Sequence, residues 1–168
     1  MSNPIKKIIL GKYLSFRLKM LLSQERAYDF SSELNKVKKA LVILPAQNEY
    51  SEPFQVFVKK LNTVFPNANI STFVSSSLRK TDMSWLGVPN EQYLKIIRDE
   101  QFDLVIDAND EQDKICSYLC ALSGAPMRLN LASGEYDSIY NLHFRTAADK
   151  KMDDRLVNIV SYFEHLKK

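Results

Sequence analysis

The sequence predicts an α/β fold: a three-layer, Rossmann-like, mostly parallel sheet with helices on both faces, preceded by an N-terminal helical arm. Three observations predict it. Residues 40–45 are a short continuous apolar run, as expected of a strand buried on both faces, and 69–74, 102–107 and 127–131 read as further short strands. Segments with apolar residues at helical spacing separate these strands. Strands and helices that alternate in this way fold as right-handed βαβ units around a parallel sheet.

The first element is a helix over 5–22, weakened by Gly11. At 100° per residue, Ile5, Ile9, Tyr13, Phe16 and Met20 form one stripe. Lys6 and Arg17 flank it on one side, Lys12 and Lys19 on the other. That is the snorkelling pattern of a helix at an interface. Leu10, Leu14, Leu18 and Leu21 make a second apolar face. A helix apolar on two sides packs between protein elements. Ile5, Ile9, Lys12, Tyr13, Phe16, Arg17, Lys19 and Met20 are therefore the candidate partner-binding residues. Residues 23–39 are a polar connector, with a helix start at Ser31 or Ser32.

The body begins with the strand at 40–45. Over 53–65, Phe54, Phe57, Val58, Leu61 and Val64 share a helical face, Pro53 suits the first turn, and Pro66 stops the helix. The second strand is 69–74. A polar loop at 75–81 leads to a short element at 83–86 and a turn at 87–89. The next helix, 91–100, carries Tyr93, Leu94, Ile96 and Ile97. Strand 102–107 follows. A helix from Asn109 to Ser123 uses Ile115, Leu119 and Leu122, with Gly124 just past its end. Strand 127–131 precedes a turn at Ser133 and Gly134, and 136–145 alternates as a further strand. A terminal helix over 149–166 buries Met152, Leu156, Ile159, Val160, Phe163 and Leu166. Residues 1–39 are thus an arm and connector, and 40–168 a single domain.

With 168 residues, 45% hydrophobic and 26% charged, the chain has the composition of one ordinary globular domain. No apolar run approaches the roughly 18 residues of a transmembrane helix. Two cysteines and no signal-peptide pattern point to a reducing cytoplasm. The net charge of +3 divides unevenly: residues 1–39 carry nine basic and three acidic groups, and the rest carry 14 basic and 17 acidic. The arm is +6 and the body −3. A basic arm suits an anionic membrane surface, nucleic acid or an acidic protein face.

Ligands of doubly wound folds sit at the carboxyl ends of the strands. The loop at 45–52 has no glycine and two acids, Glu49 and Glu52. The loop after 102–106 carries Asp107, Asn109, Asp110, Glu111 and Asp113, also without glycine. Phosphate sites need close backbone approach, which glycine permits, and clustered carboxylates repel phosphate. Asp107, Asp110 and Asp113 with Glu49 have the oxygens a hard cation wants, but acids at a helix start are ordinary capping groups. The sequence therefore predicts no metal and no cofactor. The loop at 75–81, with Ser75, Ser76, Ser77 and Arg79, is the better anion candidate, set against the ordinary reading of such a polar segment as a solvated loop. The candidate ligand residues are Glu49, Asp107, Asn109, Asp110, Ser75, Ser76, Ser77 and Arg79, for an unspecified small molecule. Cys116 and Cys120, four apart on a helix, read as core residues. His143 reads as structural, His165 as a dipole partner near a helix C-terminus, and Trp85 as a turn anchor. No nucleophile–base pair assembles.

Residues 40–44, 65–70 (Phe-Pro-Asn-Ala-Asn-Ile), 102–107 (Phe-Asp-Leu-Val-Ile-Asp) and 122–128 (Leu-Ser-Gly-Ala-Pro-Met-Arg) occur in an order that resembles the N-terminal half of heptosyltransferase-type glycosyltransferases. In that family a Gly-Asp pair follows the first strand; here Pro45, Ala46 and Gln47 stand there. The family's nucleotide-sugar-binding domain has no counterpart. The resemblance implies the fold and no catalytic role. Residues 82–89, 102–107 and 140–144 give nearly the whole chain a resemblance to an uncharacterised family of short Bacteroidota-type proteins. It implies a basic N-terminal helix, a degenerate single Rossmann-like domain, and a closing strand and helix.

The expected function is a non-catalytic binding or adaptor role, with the arm engaging a protein partner or a second copy. One alternative is a sugar- or nucleotide-transfer component completed by a partner chain. The other is association with nucleic acid or the ribosome, through Tyr13 and Phe16 interleaved with Lys12, Arg17 and Lys19.

Overall fold

The computed structural model describes residues 9, 12, 13, 16, 29–46, 52–146 and 150–167. Five strands form one all-parallel sheet: β1 (Lys39–Leu44), β2 (Asn69–Val74), β3 (Leu104–Asp107), β4 (Met127–Asn130) and β5 (Leu142–His143). The helices are α1 (Phe30–Leu34), α2 (Glu52–Val64), α3 (Glu91–Asp99), α4 (Lys114–Leu122) and α5 (Met152–Leu166). Strand order is 2-1-3-4-5, one of the two common doubly wound orders.

That order follows from chain direction and handedness. From β1 the chain steps one way to β2, then returns past β1 to β3 and on to β4. Crossovers of one hand put the helices of opposite steps on opposite faces. So α2, together with α1 and α5, covers one face, and α3 and α4 cover the other. The strand sequences fit this division. In β1, Ala40, Val42 and Leu44 enter the α2/α5 core, and Leu41 and Ile43 enter the α3/α4 core. In β3, Leu104 and Ile106 face the first core and Val105 the second. Burying each such side chain contributes about 1.5–3 kcal/mol, far more than any helix propensity in the chain. The five-residue α1 is too short to persist unaided. Leu34 is fully buried, Asp29 accepts from the Ser31 and Ser32 amides, and the Ser31 hydroxyl donates to the Leu166 carbonyl at 2.7 Å.

β1 and β3 are aligned by one carboxylate. Asp103, just before β3, accepts from the Lys38 and Lys39 amides at 2.8 and 2.9 Å. The turn expected at 87–89 is closed by the Ser84 amide on the Val88 carbonyl and a bridge between Met83 and Pro89. Gly87 sits at φ +78°, where a side chain is strained. Gly124, past α4, has φ +77° and ends that helix as expected.

Two expectations need correction. The helix expected from Asn109 begins at Lys114, because Asp113 is its N-cap and accepts from the Cys116 amide at 2.8 Å. Residues 108–113 are loop. The strand expected over 136–145 is reduced to Leu142–His143, preceded by a 3-10 turn at Asp137–Ile139. A parallel connection normally takes a dozen residues or more and a helix. The link from β4 to β5 has only a 3-10 turn, and side chains supplement the ladder bonds that the Asn141 and Phe144 amides make to the Arg128 and Asn130 carbonyls. Arg128 donates to the carbonyls of Ala125 and Ile139 at 2.7 and 2.6 Å. Asn141 accepts from the Arg128 amide at 2.8 Å and donates to the Pro126 carbonyl at 2.7 Å.

Candidate functional site

The order reversal between β1 and β3 leaves a cleft at the carboxyl ends of the strands, where such folds bind ligands. Here the cleft holds about 440 Å³. Pro45 and Ala46 line it beyond β1, Ser75 beyond β2, and residues 109–113 beyond β3. Of the ligand residues expected from sequence, Ser75, Asn109 and Asp110 come together here. Ser76, Ser77 and Arg79 do not line the cleft. The Ser77 hydroxyl donates to the Val74 carbonyl at 2.7 Å, closing a 3-10 turn. Arg79 is exposed and bonds Asp82, whose carboxyl it holds below the ordinary range. Glu49 lies outside the described residues.

Asp107 ends β3 and is 3% exposed. It stands behind the cleft and shapes it. One carboxylate oxygen accepts from the Asn109 amide and side-chain nitrogen, at 3.2 and 2.6 Å. The other accepts from the Tyr140 hydroxyl at 2.6 Å. The Tyr140 and Ser117 hydroxyls lie 3.0 Å apart. A phenol has one proton, and it is committed to the carboxylate, so Ser117 donates to the phenolic oxygen. Burial holds the Asp107 carboxyl above its ordinary value, against the opposing bonds from Tyr140 and Asn109. Burial and the facing carboxylate push Tyr140 far up, so it stays a donor.

The same loop is tied to the far edge of the sheet. Gln112 donates to Asp137 at 2.7 Å and accepts from the Tyr136 amide at 2.8 Å. Arg145 donates to Asp137 at 3.2 Å and to the Asn130 side chain at 3.0 Å. Burial raises the Asp137 carboxyl, but bonds from Asn130 and the Arg145 charge outweigh it and leave the group below its ordinary value. His143 is structural, as expected: Nδ1 lies 3.0 Å from Asn130 Oδ1 and 2.9 Å from an Arg145 nitrogen. His165 Nδ1 lies 2.7 Å from the Ser161 carbonyl in the last turns of α5. Cys116 and Cys120 are buried free thiols, and burial pushes both well up. They are inert core groups at neutral pH. Among the described residues no cluster of three or more His, Cys, Asp or Glu is placed to hold a metal, and no helix is long and apolar enough to cross a membrane.

The arm supplies a second surface. Ile9, Lys12, Tyr13 and Phe16 are helical. Tyr13 packs half-buried on the α3/α4 core, and its hydroxyl donates to Glu91 at 3.2 Å. Ile9 and Phe16 are turned out, 42% and 65% exposed, beside exposed Lys12. Ile5, Arg17, Lys19 and Met20 lie outside the described residues. Sequence reasoning missed Tyr140 and the group of Gln112, Asp137 and Arg145. The available signal was Asp107 itself, since a carboxylate ending an apolar strand requires donors from elsewhere.

The chain is therefore a doubly wound, all-parallel α/β domain with a polar cleft at its switch point and a helix docked on one face. It belongs to DUF6913, a family of unknown function, which matches residues 11–166. No curated protein and no solved structure is matched.

Removing the Tyr140 hydroxyl leaves Asp107 short of a donor. Tyr140→Phe should lower unfolding free energy by about 1–3 kcal/mol at pH 8. A carboxyl whose folded pKa is raised costs stability as pH climbs from its unfolded value through its folded value. The Tyr140→Phe loss should therefore shrink as pH falls from 8 and Asp107 takes up a proton. Urea titrations across a descending pH series check this; a loss independent of pH would contradict it.

Proposed function

We propose that this protein is a non-catalytic binding module, an adaptor that engages a protein partner through the outward stripe of its N-terminal helix. One observation carries the reading. Tyr13 anchors the helix to the body, while Ile9 and Phe16, flanking it on the same stripe, stay exposed. An aromatic side chain 65% exposed on an anchored helix is the kind of group that dominates protein interfaces. The family match begins at residue 11, so it takes in Tyr13 and Phe16 together with the body. That supports the helix as a working part of the domain. The cytoplasm is the setting this reading assumes, and reduced, buried cysteines suit it.

Affinity capture with the full chain under native conditions checks the reading. A specific protein should be retained by the full chain and lost with Phe16→Ser. Equal retention by both chains, or none by either, would contradict it.

A second reading rests on the cleft. Its place at the switch point supports a small-molecule role, and the heptosyltransferase-like segment at 40–130 suggests a sugar- or nucleotide-transfer component completed by another chain. The Gly-free, carboxylate-rich lining makes phosphate recognition unfavourable. A nucleotide-sugar panel should therefore leave the melting temperature unchanged; a saturable upward shift with one member would favour this second reading.

A further inference from the structure

We propose that the partner is a second copy of this chain, and that the groove between α2 and α5 of one copy receives the helix stripe of the other. This rests on the adaptor reading and names its partner. The groove holds about 330 Å³. Its apolar part includes Val56 and Val157, 39% and 44% exposed, over buried Leu156. Glu52 and Asp153 stand at its rim, with Lys60 as the one opposing charge among its lining residues.

Three features fit this groove to this stripe. The stripe is apolar where the groove is apolar, through Ile9 and Phe16. Its flanking charge is positive: Lys12 is exposed beside Phe16, and the segment 1–39 carries +6 against −3 for the rest. The groove rim is net acidic. The third feature decides that the contact is between molecules. Tyr13 docks on the α3/α4 face, and the groove lies on the α2/α5 face, with the whole sheet between them. A helix anchored on one face cannot lay its stripe into the groove on the other face of the same molecule. The two surfaces are unlike and lie on opposite faces, so the contact is head to tail: each copy lays its helix stripe in the groove of the next.

Light scattering and directed cross-linking test this on the full chain. The mass in solution should rise above the single-chain 19.4 kDa as concentration increases through the micromolar range. Val157→Asp puts a charge in the apolar contact and should weaken association at least about tenfold. Val157 is 44% exposed, so the monomer's melting temperature should hold. A second measurement does not depend on that variant folding well. Phe16→Cys and Val157→Cys chains, mixed under mild oxidation, should give a disulfide-linked dimer that neither gives alone. Cys116 and Cys120, 1% and 0% exposed, do not compete. A chain monomeric at all concentrations, with no cross-link in the mixture, overturns the proposal. If capture of a different protein is then lost with Phe16→Ser, the adaptor reading stands and only its partner was wrong. If the monomer instead binds phosphatidylserine vesicles in a Phe16-dependent, salt-sensitive way, both fail and the stripe is a lipid contact.

Discussion

A carboxylate taken out of water must be given hydrogen-bond donors or a proton. Asp107 places that demand at the end of β3, in the middle of the sheet. Two donors meet it from different parts of the chain, and both shape the molecule. Asn109 bends the loop back on the carboxylate, which fixes residues 109–113 as the cleft wall. Tyr140 reaches it from the link between β4 and β5, which carries only a 3-10 turn. One short hydrogen bond thus joins the centre of the sheet to its weakest edge. Ser117 extends the chain of donors to α4. The same edge is held from the β4 side by the Arg128 and Asn141 bonds.

The legible part of the fold was the part set by apolar periodicity. Strand 69–74 has in the structure the limits the sequence predicts, and the strands predicted at 40–45, 102–107 and 127–131 lie within two residues of theirs. Both faces of β1 and β3 are apolar because both are covered, and that is visible in a row of residues. What was not legible depends on polar groups meeting across the fold. Alternation over 136–145 looks like a strand because Tyr140, Leu142 and Phe144 share one parity. In the structure Tyr140 is drawn to Asp107, 33 positions away in sequence, and Asn141 adds side-chain bonds to those of the ladder. The start of α4 was misplaced for a related reason. Asn109, Asp110 and Asp113 are all good caps, and propensity does not say which one the helix uses. Of the expected anion loop, Ser75 alone lines the cleft, because Ser77 and Arg79 are taken up by local bonds.

The division of charge acquires a structural sense beside the two apolar surfaces. A +6 arm on a −3 body would simply collapse onto it if charge were the whole story. Tyr13 and Glu91 anchor the helix on the α3/α4 face, and the stripe with Ile9 and Phe16 stays open to water. Exposed Val56 and Val157 stand on the opposite face. Two apolar surfaces thus stand on opposite faces of the sheet, one beside exposed Lys12 and one rimmed mainly by acids. The cleft between them is shaped by the same Asp107 bonds that hold the edge. Its carboxylates and lack of glycine set it apart from a phosphate site.

Amide hydrogen exchange on the Tyr140→Phe chain, compared with the natural chain, measures this dependence most directly. If the Asp107–Tyr140 bond holds both the cleft loop and the edge, exchange should accelerate about tenfold or more across 108–113 and 137–143. The amides of α2 and α5 should keep their protection. Unchanged exchange in those two segments, or a uniform rise across the whole domain, would contradict it.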